Sequence, residues 1–157
     1  IDSLTFGYGL EEDIIDSVCS VNKVFKDLKH TKVKIDFISK YYKQNKEKFN
    51  PFLIAAKRLV RIVDSTSNGS LDTSKLTIEQ EKDLLSNLDK INKKEYTSYD
   101  DFLNDLTSLT TPINSFFEKV LVNDPDPEIR KARQGLLKKG KSLFEKICDF
   151  NQIVERN

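Results

Sequence analysis

Apolar residues recur every three or four positions along most of the chain, as in amphipathic helices packed on a core. The first stripe, over residues 11–29, contains Ile14, Val18, Val21, Phe25 and Leu28. Thr31 is predicted to cap a second helix. The inner face of that helix carries Ile35, Ile38, Tyr41 and Tyr42. No alternating pattern typical of a β-strand interrupts these stripes.

The next helix has a start signal of its own. Asn50 precedes Pro51, and this pair predicts that the segment PFLIAAKRLVRIVD is a helix that runs to about Asp64. Asn accepts a hydrogen bond from an unpaired amide, and Pro lacks the amide that the first turn would leave unpaired. Residues 65–76, STSNGSLDTSKL, collect Ser, Thr, Asn and Gly without periodicity and are predicted to form a loop.

Two capping patterns open the following helices. Thr77 with Gln80 resembles a capping box, and Ser98 with Asp101 repeats much the same signal. The first pattern precedes the apolar residues Leu84, Leu88 and Ile91. The second precedes Phe102, Leu106 and Leu109.

Prolines punctuate the C-terminal third. Pro112 is predicted to start or kink the helix INSFFEKVLV, and the turn NDPDP ends it. Asp126 and Pro127 then predict the cap and first position of the last helix. Its inner stripe is predicted to contain Ile129, Ala132, Leu136, Leu143, Ile147 and Val154. The whole pattern predicts an all-α bundle of six or seven helices.

Composition is consistent with one domain. The chain has 157 residues, of which 38% are hydrophobic, enough for a core without disulfides or metals. Cys19 and Cys148 lie at apolar helical positions and are predicted to be small core residues, which favours a reducing cytoplasm. No apolar run is long enough for a membrane span. Because the chain contains no Met, we expect residues 1–157 to be a single domain of a longer chain.

Charge is segregated along the chain although the net charge is only +1. Residues 1–22 carry acids and no bases, whereas residues 23–61 carry twelve Lys and Arg against three acids. Residues 72–105 are acidic again, and residues 128–150 carry seven bases against three acids. Two basic segments therefore alternate with acidic ones, and such segregation bears on partners more than the total does.

Catalytic chemistry finds little support. His30, the sole histidine, lies among lysines and is predicted to be a solvated surface residue. Glycine-rich phosphate loops, nucleophile elbows and zinc spacings are missing from the sequence. Asp100 and Asp101 suit the first turn of a helix, and NDPDP suits caps and turns better than a calcium loop. We therefore expect neither catalytic residues nor a metal site.

The basic segments contain two groups of cations at helical spacing. The groups are Lys57, Arg58 and Arg61, and Arg130, Lys131 and Arg133. Cations at a helix N-terminus oppose the macrodipole, so the second group favours an anionic partner. A solvated basic face with local pairs, such as Arg130 with Asp126, remains the alternative.

Several segments resemble the C-terminal DALR-type anticodon-binding domain of the bacterial glycyl-tRNA synthetase β-subunit family. PINSFFEKVLV resembles its Pro-x-(aliphatic)-x-x-Phe-Phe-(acid)-x-Val-x-Val segment, and EIRKARQGLL its Arg-x-x-Arg stretch. The family has similar counterparts, in the same order along the chain, for three further segments: YGLEEDIIDSV, AAKRLVRIV and LFEKICDF. The likeness covers nearly the whole chain.

The resemblance implies a DALR-type helical bundle that binds the anticodon loop of glycine tRNA. It implies that catalysis takes place on the α subunit of an α2β2 assembly in the cytoplasm. ATP and magnesium would serve the whole enzyme, with no cofactor in this domain, which is predicted to be non-catalytic. An arginyl-tRNA synthetase DALR domain and a helical protein-interaction module remain alternatives.

The resemblance and the cation pattern together nominate RNA-binding residues. Lys57, Arg58, Arg61, Arg130 and Arg133 are candidates for phosphate and base contacts. Phe116 is a candidate stacking surface, although Phe116 and Phe117 also fit the core. The weaker candidates Lys119 and Asn123 lie near the turn before the last helix. Arg61 with Asp64 offers donors and acceptors for a cytosine edge, with an intrahelical ion pair as the alternative.

Overall fold

Helices form nearly all of the regular structure. The computed structural model describes residues 12–22, 28–66 and 69–155, and these ranges contain seven α-helices. The helices are α1 (Glu12–Asn22), α2 (Leu28–Gln44), α3 (Lys46–Asp64), α4 (Glu79–Lys93), α5 (Tyr99–Thr107), α6 (Thr110–Lys119) and α7 (Pro127–Phe144). Short 3-10 turns lie at Thr73–Lys75 and Phe150–Gln152. The described ranges contain no strand, and the predicted all-α bundle is confirmed.

Helix α3 is the central element, because it packs against α2, α5, α6, α7 and the C-terminal 3-10 turn. Aromatic side chains hold it there. Phe52 makes edge contacts with Phe144 of α7, at 5.6 Å between ring centroids, and with Phe150, at 5.1 Å. All three rings are buried, so they stabilise the bundle by both burial and ring geometry.

The predicted start of α3 at Pro51 is wrong. The helix begins at Lys46, and Pro51 lies inside it. Asn50 is not a cap, because its side-chain oxygen accepts a hydrogen bond from the Tyr42 hydroxyl. The additional N-terminal turn buries Phe49, which stacks on Tyr42 at 4.6 Å. We attribute the earlier start to this burial, which offsets the missing proline amide.

The caps of α4 and α5 test the two capping predictions. Helix α4 forms as predicted, but the reciprocal bond joins Ile78 N to Glu81 Oε1 at 2.9 Å, one residue beyond the Thr77–Gln80 pair. Glu81 forms this bond in place of Gln80, because its carboxylate also pairs with a buried cation that is described below. At α5 the prediction is confirmed, since Ser98 Oγ accepts from the amides of Asp100 and Asp101.

The cap of α7 is also confirmed. Asp126 Oδ1 accepts from Glu128 N at 2.9 Å, with Pro127 at the first helical position. Four residues of the predicted stripe are buried, whereas Ile129 is only partly buried and Val154 is 59% exposed. Helix α7 has already ended at Phe144, and Val154 N donates to Asp13 Oδ2 instead.

The N-terminal predictions are tested in part. The predicted Thr31 cap is wrong. Thr31 lies inside α2, which begins at Leu28. Phe25 and the side chains of Val21 and His30 lie outside the described residues. None of the described helices is long and apolar enough to cross a membrane.

The two thiols lie at or near the core as free cysteines. Cys148 is fully buried, as predicted, and burial raises the pKa of its thiol. Cys19 is only partly buried, packing against the core from its edge.

Loop residues 69–71 lie directly on α7. Ser70 N donates to Lys131 O at 3.1 Å, and the backbone of Leu71 passes over Gly135. A Cβ atom at position 135 would lie 2.3 Å from Leu71 N, so the contact requires glycine. This close approach fixes where the loop crosses the helix.

Replacing Gly135 with Ala should lower the free energy of unfolding by about 1–3 kcal/mol, because backbone atoms of the loop must move. Gly140→Ala is the matched control in the same helix, since the nearest atom there is the flexible Leu59 Cδ1 at 3.0 Å. Both variants gain about 1 kcal/mol of helix propensity. Urea unfolding followed by circular dichroism should rank Gly135→Ala well below Gly140→Ala, and equal midpoints would contradict the close contact.

Candidate nucleic-acid interface

A buried ion pair joins α4 to α7. Arg133 Nε donates to Glu81 Oε2 at 2.7 Å, and the two side chains are 7% and 0% exposed. Arg133 Nη1 also donates to Leu121 O at 2.7 Å and to Asp124 Oδ2 at 3.2 Å. Arg133 is thus buried among protein acceptors, which makes it unsuited to the predicted RNA contact.

This network shapes the segment between α6 and α7. Leu121 and Asp124 both accept hydrogen bonds from Arg133, while Asp124 Oδ1 accepts from Asp126 N at 2.9 Å. The turn NDPDP therefore uses its carboxylates for turns, a cap and an ion pair, as the sequence pattern favours. These bonds fix the loop of residues 121–126 next to the first turns of α7.

An open groove of about 890 Å³ lies between this loop, the end of α3 and residues 69–70. Its neutral polar lining comes from Ser65, Thr66, Ser70, Asn123 and Gln134. Its charged lining comes from Glu128, Arg130 and Lys131. Hydroxyls, amides and an excess of cations in one groove are the groups that bind phosphates and base edges.

The two cations of the groove are free of carboxylate partners in the described part of the chain. Arg130 Nη1 donates to the carbonyl of Asp124 at 3.2 Å rather than to the Asp126 carboxylate, so the alternative local ion pair does not form. Lys131 is exposed. Both charges lie in the first turns of α7, where the helix dipole disfavours them and an anion would offset the cost.

A second feature lies beside the groove. The guanidinium carbon of Arg58 lies 4.3 Å from the centroid of the Phe117 ring, and Arg58 is exposed. Phe117 packs against the core at its edge and forms an edge contact with Phe116 at 5.5 Å. The Arg58 guanidinium is therefore held against the Phe117 ring at the protein surface.

The groove and the Arg58–Phe117 pair belong to one surface. Arg58 and Ile62 are four residues apart and lie on the face of α3 that ends at its cap residue Ser65. Ser65 lines the groove, seven residues from Arg58, which corresponds to roughly 10 Å along a helix. We name this surface, from Arg58 and Phe117 to Arg130 and Lys131, the α3–α7 face.

Two predicted contacts are unsuited to their role. Phe116 is 0% exposed and belongs to the core, because α6 turns its Phe117 edge outward instead. Lys57 is also buried, with its Nζ 3.4 Å from Glu155 Oε2. Neither side chain offers a surface for RNA in this structure.

Arg61 and Asp64 do not pair with each other. Arg61 Nε donates to Asn151 Oδ1 at 3.1 Å, and Asp64 Oδ1 accepts from Lys141 Nζ at 2.6 Å. The bond to Asp64 raises the pKa of Lys141. Both residues therefore tie α3 to the C-terminal part of the chain, and their role as a cytosine reader stays a prediction.

Lys119 and Asn123 are exposed near the end of α6, and Asn123 lines the groove. Sequence reasoning missed Phe117, Gln134 and the hydroxyls of Ser65, Thr66 and Ser70. Only Phe117 carried a signal, because its neighbour Phe116 occupies the inner stripe of the same helix. Nothing local marks the hydroxyl residues, because Ser70 comes to the groove through its contact with α7 and not through a sequence pattern.

Comparison with known proteins gives two findings. Residues 38–153 match the family described as the DALR anticodon binding domain. The chain is 37% identical over 133 residues to the glycine–tRNA ligase beta subunit of Rickettsia felis, covering 81% of this chain and 20% of that protein. It is 35% identical over 146 residues to the Rickettsia africae protein of the same name, covering 89% and 21%. The chain thus spans about a fifth of the length of these curated relatives.

Replacing Glu81 with Ala should lower the free energy of unfolding by about 3 kcal/mol or more, since Arg133 keeps a buried charge without its fully buried carboxylate partner. Asp89→Asn is the matched control, because it breaks the partly exposed pair between Asp89 and Lys139 of the same two helices and should cost under about 1 kcal/mol. Chemical denaturation would measure both. A loss at Glu81 no larger than that at Asp89 would contradict a stabilising role for the network.

Proposed function

The chain belongs to the family of DALR anticodon-binding domains, and on this premise we propose that its α3–α7 face binds the anticodon stem-loop of a tRNA. The observation that carries the proposal is the groove, which joins two uncompensated cations to neutral donors and acceptors. Phosphates supply most of the affinity in such complexes, and base edges supply the specificity.

Each part of the face suits one part of an unpaired loop. Arg130 and Lys131 would contact phosphates, while Asn123 and Gln134 would offer amide groups to base edges. Arg58 would receive an unstacked base on the outer face of its guanidinium, with Phe117 fixing the plane from below. The roughly 10 Å between Arg58 and Ser65 would accommodate two or three nucleotides of a loop.

We propose further that the parent chain is a glycyl-tRNA synthetase β subunit, which is supported by the names of the Rickettsia relatives. In that role the domain would hold glycine tRNA and would itself be non-catalytic. The reaction would use ATP and magnesium and would occur with the α subunit of an α2β2 assembly in the cytoplasm. The names of these relatives favour a glycyl-tRNA synthetase over the arginyl-tRNA synthetase domain and the protein-interaction module.

Replacing both Arg130 and Lys131 with Ala should weaken binding of a glycine anticodon stem-loop by about tenfold or more, because two phosphate contacts are lost. The slope of log K against log salt should become less steep by about 1 to 2. Lys48→Ala is a control on the same bundle, because Lys48 is exposed near the other end of α3. Fluorescence anisotropy over a salt series measures both quantities.

Capture of total tRNA by the wild-type chain adds the specificity test. Enrichment of glycine tRNA supports the proposal, whereas enrichment of arginine tRNA or of no tRNA contradicts it. A double Ala variant that binds as well as wild type would show that the groove is not the site.

Replacing Arg58 with Lys should separate stacking from charge. Lys keeps the positive charge but has no plane, so stem-loop affinity should fall by about five- to tenfold through the lost base contact. The salt slope should stay unchanged because the charge is retained. Equal affinity for wild type and Arg58→Lys would contradict a stacking role, and a changed salt slope would indicate a phosphate contact instead.

A further inference from the structure

A second basic groove lies on α4, outside the α3–α7 face. It has a volume of about 520 Å³, and three exposed lysines of α4, Lys82, Lys90 and Lys93, line it. Ser86 and Asp89 complete the α4 face, while Thr73 and Leu76 form the opposite side. We name this site the α4 lysine groove.

The charge of the α4 lysine groove is uncompensated within its lining. Asp89 is the lone carboxylate among the lining residues, and it pairs with Lys139 of α7. The lysines belong to a helix already anchored by the buried residues Glu81, Leu84, Leu88 and Ile91. Lys90 and Lys93 are three residues apart and repel one another, while Lys82 lies roughly 12 Å further along the helix, so an anion in the groove would relieve the repulsion.

The two grooves adjoin α7 at different points along the helix. Lys131 lines the first groove, and Lys139, paired with Asp89, adjoins the second. The eight residues between them correspond to roughly 12 Å along the helix. Residues 69–71 cross α7 between the two, at Gly135. A single extended anion could therefore contact both grooves across the loop.

We propose that the α4 lysine groove binds backbone phosphates of the paired stem of the RNA whose loop occupies the α3–α7 face. This inference rests on the proposed function and adds a second contact region to it. The RNA stem is recognised there by charge and shape, and the loop by the groups of the first groove.

The chemistry of the lining favours a paired stem over unpaired nucleotides. Among its lining residues the α4 lysine groove has no aromatic ring and no Arg, so it lacks the planes on which unpaired bases stack. Lysines act as flexible point charges, which suits phosphates at varied positions. Double-stranded RNA is recognised mainly through its phosphates and hydroxyls, because side chains cannot reach its bases in the narrow major groove.

The test compares two RNAs and three variants of the 157-residue chain. The RNAs are an anticodon hairpin and the same loop sequence as an unpaired strand. Lys82, Lys90 and Lys93 are replaced together by Gln in the test variant. The matched control replaces three exposed lysines of α2 and α3, Lys32, Lys40 and Lys48, by Gln, which changes the net charge equally. Arg130→Ala with Lys131→Ala reports on the first groove.

The test variant should bind the hairpin about tenfold more weakly than wild type, with a salt slope less steep by about 2 to 3. Its affinity for the unpaired strand should stay within about twofold of wild type, like that of the lysine control. The double Ala variant should lose affinity for both RNAs.

Equal losses on the two RNAs, or an undiminished affinity for the hairpin, would overturn the inference while leaving the proposed function intact. Failure of the wild-type chain to bind either RNA would remove the proposed function and the inference together. A loss in the lysine control as large as that in the test variant would also overturn it, since net charge alone would then explain the effect. Circular dichroism of each variant confirms that the fold is retained.

Discussion

The ion pair between Arg133 and Glu81 is the constraint on which the recognition surface depends. Both groups lie away from water, where an unpaired charge is strongly disfavoured, so α4 and α7 must keep the register that joins them. The same guanidinium holds Leu121 O and Asp124, which fixes the loop before α7. Arg133, which the sequence pattern nominates as an RNA contact, therefore fixes one side of the groove instead. The cations that line the groove remain available for an anion.

The second constraint is steric. Gly135 lets the backbone of residues 70–71 rest on α7 where any side chain would collide with it. The loop can then donate from Ser70 N to Lys131 O and enclose one side of the first groove. This segment then lines two separate basic grooves, the first at residues 69–70 and the second, beside the lysines of α4, at Thr73 and Leu76. Two contact regions with different neighbours can serve two parts of one RNA.

The sequence predicted the fold well because apolar periodicity and caps are local signals. Ser98 and Asp126 cap the helices they were expected to cap, and most of the stripe residues that the structure describes are buried. The start of α3 was missed because burial of Phe49, a tertiary effect, outweighs the local signal of Pro51. The site was harder to predict, since whether a cation is locked or open depends on residues far away in sequence. Glu81 lies 52 residues from Arg133, and Glu155 lies 98 residues from Lys57.

The distribution of open and locked cations carries the functional argument. Residue type and spacing are alike at Arg130 and Arg133, yet Arg133 is enclosed by acceptors and Arg130 keeps only a carbonyl. On α3, Lys57 pairs with Glu155, whereas Arg58, one residue further, is exposed and lies over the ring of Phe117. The open cations converge on the α3–α7 face, while the locked ones hold the elements beneath it. Such a division is what an RNA-binding surface on a small domain requires, because a cation that stabilises the fold through a buried pair cannot also release that partner for a phosphate without leaving an unpaired charge.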